Sequence, residues 1–142
     1  MTFLNLLLLI VIIILILISG FLSGSETAIT AISKARIISK IKKGNQKAKY
    51  VKMIIDDKET IISSLLLSNN LVNILASSLA TAFFYDLFGL TGIFYATLLM
   101  TFLLVIFAEV LPKTYSINKP TRTALIIAPI IYYLNKILLP FV

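Results

Sequence analysis

Twenty-five residues pass before the first charged side chain: Met1 to Ser25 is uncharged, and so are the 26 residues Thr60 to Tyr85 and the 22 residues Leu87 to Ala108. A hydrocarbon core takes about 20 helical residues to cross, so each run is long enough to span a membrane. The composition agrees, with 59% of 142 residues hydrophobic, 13% charged and a mean hydropathy of +1.02, more apolar surface than one soluble domain of this size buries. The first run is not a signal peptide on this reading. It lacks a basic n-region, its apolar stretch Leu4 to Ile18 has no small-x-small cleavage site, and helix-compatible residues continue to Ile32.

The 13 basic and 6 acidic residues are unevenly placed. Lys34 to Glu59 holds nine basic and three acidic side chains, +6 of the net +7. By the excess of Lys and Arg in cytoplasmic loops, this block and the later group Lys113, Lys119 and Arg122 are expected inside, while the Tyr85 to Gly92 turn carries only Asp86. Three crossings then put the N-terminus outside and the C-terminus in the cytoplasm. The expected division is a first span over 1–33, a basic juxtamembrane segment over 34–59, spans over 60–85 and 87–111, and cytoplasmic-side helices over 113–142. Between Ile37 and Ile55, apolar residues alternate with lysines and break near Gly44-Asn45, which reads either as short amphipathic helices on an anionic leaflet or as a solvated basic loop. Thr123 to Val142 is interrupted by Pro129, Lys136 and Pro140; it is expected to lie in the interface, or to form a short re-entrant pair, rather than to span.

A soluble nucleic-acid binder is excluded, since the basic residues punctuate hydrocarbon-like segments. With no cysteine and no histidine there are no disulfides, thiolates, imidazole bases or usual zinc ligands. The serines have no evident base partner, so the chain is not read as an enzyme.

The informative residues are the polar ones inside the spans. The first helix carries Gly20-Phe21-Leu22-Ser23-Gly24-Ser25-Glu26-Thr27, a small and polar run that either breaks the helix and frees carbonyls or forms a GxxxG packing seam. The second places Asn69, Asn73, Ser77 and Thr81 on one stripe at i, i+4 spacing beside Ser68 and Asn70; they are ligands or interhelical hydrogen-bond glue. The third ends in Ala108-Glu109-Val110-Leu111-Pro112-Lys113, with Pro112 ending or kinking the helix. An intramembrane carboxylate is a functional-site hypothesis by default; its alternative is an ion pair with Lys113. At 1.5 Å per residue, Asn69 lies about 14 Å in from Thr60 and Ser23 about 16 Å in from Lys34, with Glu109 about 6 Å from Lys113. Such a cluster offers only oxygen, which suits a hard cation such as Mg²⁺, Ca²⁺ or Na⁺.

The segments Ser23-Gly24-Ser25-Glu26-Thr27-Ala28, Leu65-Leu66-Leu67-Ser68-Asn69-Asn70-Leu71-Val72-Asn73 and Ala108-Glu109-Val110-Leu111-Pro112-Lys113-Thr114 resemble the three signature motifs of the CNNM/CorC transmembrane domain, in order and over about the whole chain. The resemblance implies an all-α homodimer in the cell membrane, with three transmembrane helices per protomer and cytoplasmic juxtamembrane helices, exporting Mg²⁺ in exchange for Na⁺. By motif, Ser23 supplies a hydroxyl or main-chain oxygen, Asn69 and Asn73 amide oxygens and Glu109 the carboxylate, with Ser25, Asn70, Gly24 and the Ala108 carbonyl as secondary ligands. Glu26 and Ser77 are expected on a Na⁺ site or the ion pathway. Position 68 is Ser where the family pattern commonly has glycine. Cytosolic CBS modules, often followed by a CorC-type domain, are expected in the longer protein of which these residues are the membrane domain. The rival reading is a Mg²⁺-sensing membrane adaptor that regulates another transporter and carries nothing; the blandest is a membrane anchor that only dimerises.

Overall fold

A computed structural model describes residues 2–138, which contain helices and no strand. The chain runs as α1 (Phe3–Ala31), α2 (Lys34–Lys42), α3 (Gln46–Asp56), α4 (Lys58–Phe88), α5 (Thr91–Leu103), a π-helical segment (Leu104–Val110), α6 (Leu111–Asn118) and α7 (Pro120–Leu138). Three continuous helices, Phe3–Ala31, Lys58–Phe88 and Thr91–Asn118, are long and apolar enough to cross a membrane. They correspond to the three uncharged runs. Thr2 starts the first by accepting the Asn5 backbone N–H at 3.2 Å.

The second and third spans form a hairpin so tight that only glycine closes it. Gly89, at φ +68° and ψ −145°, ends α4 with its N–H donated to the Tyr85 carbonyl at 2.8 Å. Three residues on, a Cβ at Gly92 would sit 2.1 Å from the Phe84 carbonyl oxygen. The third span runs seven residues past the expected end at Leu111. Pro112 lacks an N–H and its ring crowds the carbonyl four residues back. The helix absorbs this by widening ahead of the proline, where the Leu111 N–H reaches the Ile106 carbonyl five residues earlier, and then continues to Asn118.

The basic block folds as two short amphipathic helices, α2 and α3, rather than a loop. Gly44 turns between them at φ +87° and Asn45 caps α3 by accepting the Lys47 and Ala48 N–H groups. Their apolar faces, Ile37, Ala48, Val51 and Ile54, join Leu22 and Ile29 of α1, Ile61 and Leu65 of α4, and Ala124, Ile127, Ala128 and Ile131 of α7 in one core. A second core at the other end of the bundle gathers Ile12 and Ile16 of α1, Ala76, Ala80 and Phe83 of α4, and Met100 of α5.

Through Leu138 the last apolar stretch is one helix, not a re-entrant pair. α7 passes through Pro129 and buries the i, i+3, i+4, i+7 face Ala124, Ile127, Ala128 and Ile131 on the rest of the domain, which holds the helix together where the proline omits a bond. Tyr50 and Tyr132 meet edge-to-face at 5.6 Å, and the Lys136 ammonium lies 4.9 Å over the Tyr132 ring. Pro140 lies outside the described residues.

Candidate functional site

α1 and α4 run antiparallel, and where they face each other between the two apolar cores they carry a layer of polar side chains. The hydroxyl of Ser19, fully buried, donates to the Asn69 amide oxygen at 2.8 Å and also contacts the Asn73 amide oxygen. Asn69 and Asn73 reach it together because i, i+4 residues share a helix face. One hydroxyl proton therefore faces two converging amide oxygens. One turn further along α1, Ser23 is 1% exposed, and its hydroxyl has no partner among the described residues. A buried hydroxyl without a hydrogen bond costs about 1–3 kcal/mol, so an unpaired one at this place is a reason to look for a ligand.

The third span adds main-chain oxygen. Pro112 offers no N–H to the carbonyls of Ala108, four residues back, or Phe107, five back, while the Leu111 N–H is turned to Ile106. The Phe107 carbonyl points at α1, 3.0 Å from where a Cβ on Gly20 would stand, with Ala108 Cα at 3.7 Å from the same point. The absence of a side chain at Gly20 is what lets this loosened backbone lie against α1 within a turn of Ser19 and Ser23.

The structure sorts the remaining sequence-derived candidates. Of the two readings of Gly20–Ser25, the broken helix is not the one observed: α1 is unbroken there, Gly20 and Gly24 keep helical backbone, and Ser25, Thr27 and Thr30 donate to the carbonyls of Phe21, Ser23 and Glu26. The freed carbonyl belongs to the third span instead. Gly24 lies in a packing seam, where a Cβ would stand 3.2 Å from Ser116 Oγ and 3.3 Å from Pro112 Cβ, and Ser25 faces that seam with its proton on the Phe21 carbonyl. Asn70 is exposed, one residue round from Asn69. Ser68 donates to the Ser64 carbonyl at 2.8 Å within its own helix. Ala108 is fully buried and Glu109, beside it in the π segment, is exposed on the surface of the chain. Glu109 does not pair with Lys113: the ion pairs among the described residues are Lys34–Asp56 and Lys52–Asp56. Glu26 is half-buried. Ser77 is separate from the Asn pair and lines a cavity of about 200 Å³ between α4 and α5 with Thr81, Thr97 and Thr101.

Ser19 and the Phe107 carbonyl were not among the residues picked out from the sequence. Ser19 stands four residues before Ser23, so the i, i+4 rule that grouped the asparagines would have found it. The Phe107 oxygen had no such signal, because the π register that frees it is visible only in the backbone.

Fold and site together define a multi-pass, three-span helical membrane domain with a buried oxygen-rich layer between its helices. The cyclin M transmembrane N-terminal domain family matches residues 10–142, and the chain belongs to that family. It is 38% identical over 131 residues to the UPF0053 inner membrane protein YfjD of Escherichia coli (strain K12), covering 84% of this chain and 31% of the relative. A UPF0053 protein of Haemophilus influenzae is 36% identical over 125 residues, covering 88% of this chain and 30% of that protein. A chloroplastic DUF21 domain-containing protein of Arabidopsis thaliana is 27% identical over 123 residues, 87% of this chain and 18% of its own length. The chain thus spans about a third or less of the curated relatives it matches.

Proposed function

We propose that this domain transports Mg²⁺ across the membrane, coupled to Na⁺, through the layer between α1, α4 and the π segment. The observation that carries the reading is the buried cluster in which Ser19, Asn69 and Asn73 share one proton next to the unpartnered Ser23 hydroxyl. Hydroxyl, amide and carbonyl oxygens fit a hard cation, and neutral ligands with few carboxylates hold it loosely enough to leave. Glu109 supplies the charge on the ion's path, and Ser77 with its threonine neighbours is the proposed place for Na⁺. The choice of Mg²⁺ over Ca²⁺ rests on the family resemblance, as do assembly as a homodimer and cytosolic CBS modules in the longer protein, while an N-terminus outside and a C-terminus in the cytoplasm rest on the basic Lys34–Lys58 block.

The test is a dye that reports Mg²⁺ inside proteoliposomes under an imposed Na⁺ gradient. Wild type should move Mg²⁺ and Glu109→Gln, at equal incorporation, should not. Normal flux in that variant removes Glu109 from the mechanism. Mg²⁺ binding without flux under any Na⁺ gradient overturns transport in favour of an adaptor.

A further inference from the structure

A wide cleft on the domain shares no lining residue with the oxygen layer. It lies where the start of α7 meets α2 and α3, encloses about 630 Å³, and is lined by Arg36, Lys40, Asn45, Lys47, Thr121, Arg122, Leu125 and Ile126. Four of these side chains are basic and none is acidic. The nearest acidic residues in sequence, Asp56 and Asp57, are at the far end of α3, where Asp56 already pairs with Lys34 and Lys52. Four like charges around one concavity repel each other unless an anion sits among them. The backbone adds to the same field. α7 begins with Pro120, which has no N–H, preceded by Lys119, whose side chain can only donate. The N–H groups of Thr121 and Arg122 therefore receive no cap from that residue, and they form the positive end of a 19-residue helix.

A soluble anion would use only the charged part of this cleft. The other wall is apolar, Leu125 and Ile126, and Ile126 opens an exposed stripe along α7, continued by Ile130, Tyr133 and Ile137 at i+4, i+7 and i+11. That stripe is about 16 Å long. A concentrated positive cleft that runs into an apolar track matches a molecule with an anionic phosphoryl head and an acyl tail. We infer that the cleft between α2, α3 and the start of α7 is a binding site for one anionic phospholipid, whose phosphate sits among Arg36, Lys40, Lys47 and Arg122 and whose acyl chain lies along Ile126, Ile130 and Ile137. This site is independent of the oxygen layer and of any transported ion.

Native mass spectrometry of the chain, released from nanodiscs of phosphatidylcholine doped with phosphatidylglycerol, reads the site directly. Wild type should retain one phosphatidylglycerol at least tenfold in excess of its share in the bilayer. The variant Arg36→Gln/Lys40→Gln/Lys47→Gln/Arg122→Gln should lose that excess. A variant of equal charge loss outside the cleft, Lys42→Gln/Lys43→Gln/Lys49→Gln/Lys52→Gln, should keep it. Equal loss in both variants overturns the site in favour of diffuse surface attraction. The cleft side chains are exposed or half-buried, so folding is checked by circular dichroism and expected unchanged. Ile126→Ser/Ile130→Ser should weaken retention of the diacyl lipid; no effect refutes the acyl track. Inorganic phosphate at 10-fold molar excess over lipid should leave retention unaltered, and displacement by it assigns the cleft to soluble phosphates instead.

Discussion

Ser23→Ala is expected to make the protein more stable and less functional. Its hydroxyl is 1% exposed and unpartnered, so without a bound ion it contributes an uncompensated desolvation cost of about 1–3 kcal/mol. Removing one oxygen opens almost no cavity, and the cost disappears. Ser25→Ala is the control: it is equally buried, also on α1, and its proton is used on the Phe21 carbonyl at 2.6 Å. Losing a satisfied hydroxyl is expected to be neutral or to cost about 1 kcal/mol. Reversible unfolding in mixed micelles at rising dodecyl sulfate, followed by circular dichroism, should place Ser23→Ala above wild type and Ser25→Ala at or below it in the absence of Mg²⁺. Added Mg²⁺ should narrow the gap between Ser23→Ala and wild type by about 1.3 kcal/mol. A ligand at 100 times its Kd stabilises the folded state by about 2.7 kcal/mol, and a tenfold weaker site under the same conditions gains only about 1.4 kcal/mol. A Ser23→Ala protein less stable than wild type without Mg²⁺, or one with the full Mg²⁺ response, refutes the argument that this hydroxyl waits for a ligand.

Other positions give sharper geometric tests. Pro112→Ala restores an N–H that can bond the Ala108 or Phe107 carbonyl; it should raise the unfolding midpoint while lowering Mg²⁺ flux at least tenfold, and unchanged flux would detach the π segment from the site. Gly20→Ala puts a methyl 3.0 Å from the Phe107 oxygen and should impair flux with a destabilisation of about 1–3 kcal/mol, read by the same two assays. Gly92→Ala, at 2.1 Å from the Phe84 carbonyl, cannot be accommodated without separating α4 from α5 and should lower expression of folded protein more than any of these. Asn5→Leu removes the 2.9 Å bond from Asn5 Nδ2 to Asp86, which ties the start of α1 to the end of α4, and leaves a carboxylate without its partner; increased protease cleavage near the Gly89 turn is the expected readout.

How far such a chain can be read in advance depends on whether a residue's role is set by its own segment or by its neighbour. Uncharged length sets the spans locally, and the three runs became the three long helices. Asn69 and Asn73 were legible because two amides one turn apart on an apolar helix need a partner, and any partner lies on the same face; the sequence did not say that it would be Ser19. The α1 motif shows the limit. Glycine and serine weaken an isolated helix, so Gly20 to Ser25 read as a break or a packing seam, yet within lipid each hydroxyl can return its proton to a carbonyl one turn back, and Ser25, Thr27 and Thr30 do so. The small residues serve proximity instead: Gly20 and Gly24 bring α1 onto Phe107, Pro112 and Ser116. The freed carbonyl is thus produced on one helix and admitted by the other. A motif-by-motif reading assigns both features to the glycine-rich segment, since only the packed pair separates the helix that gives up a hydrogen bond from the helix that makes room for the oxygen.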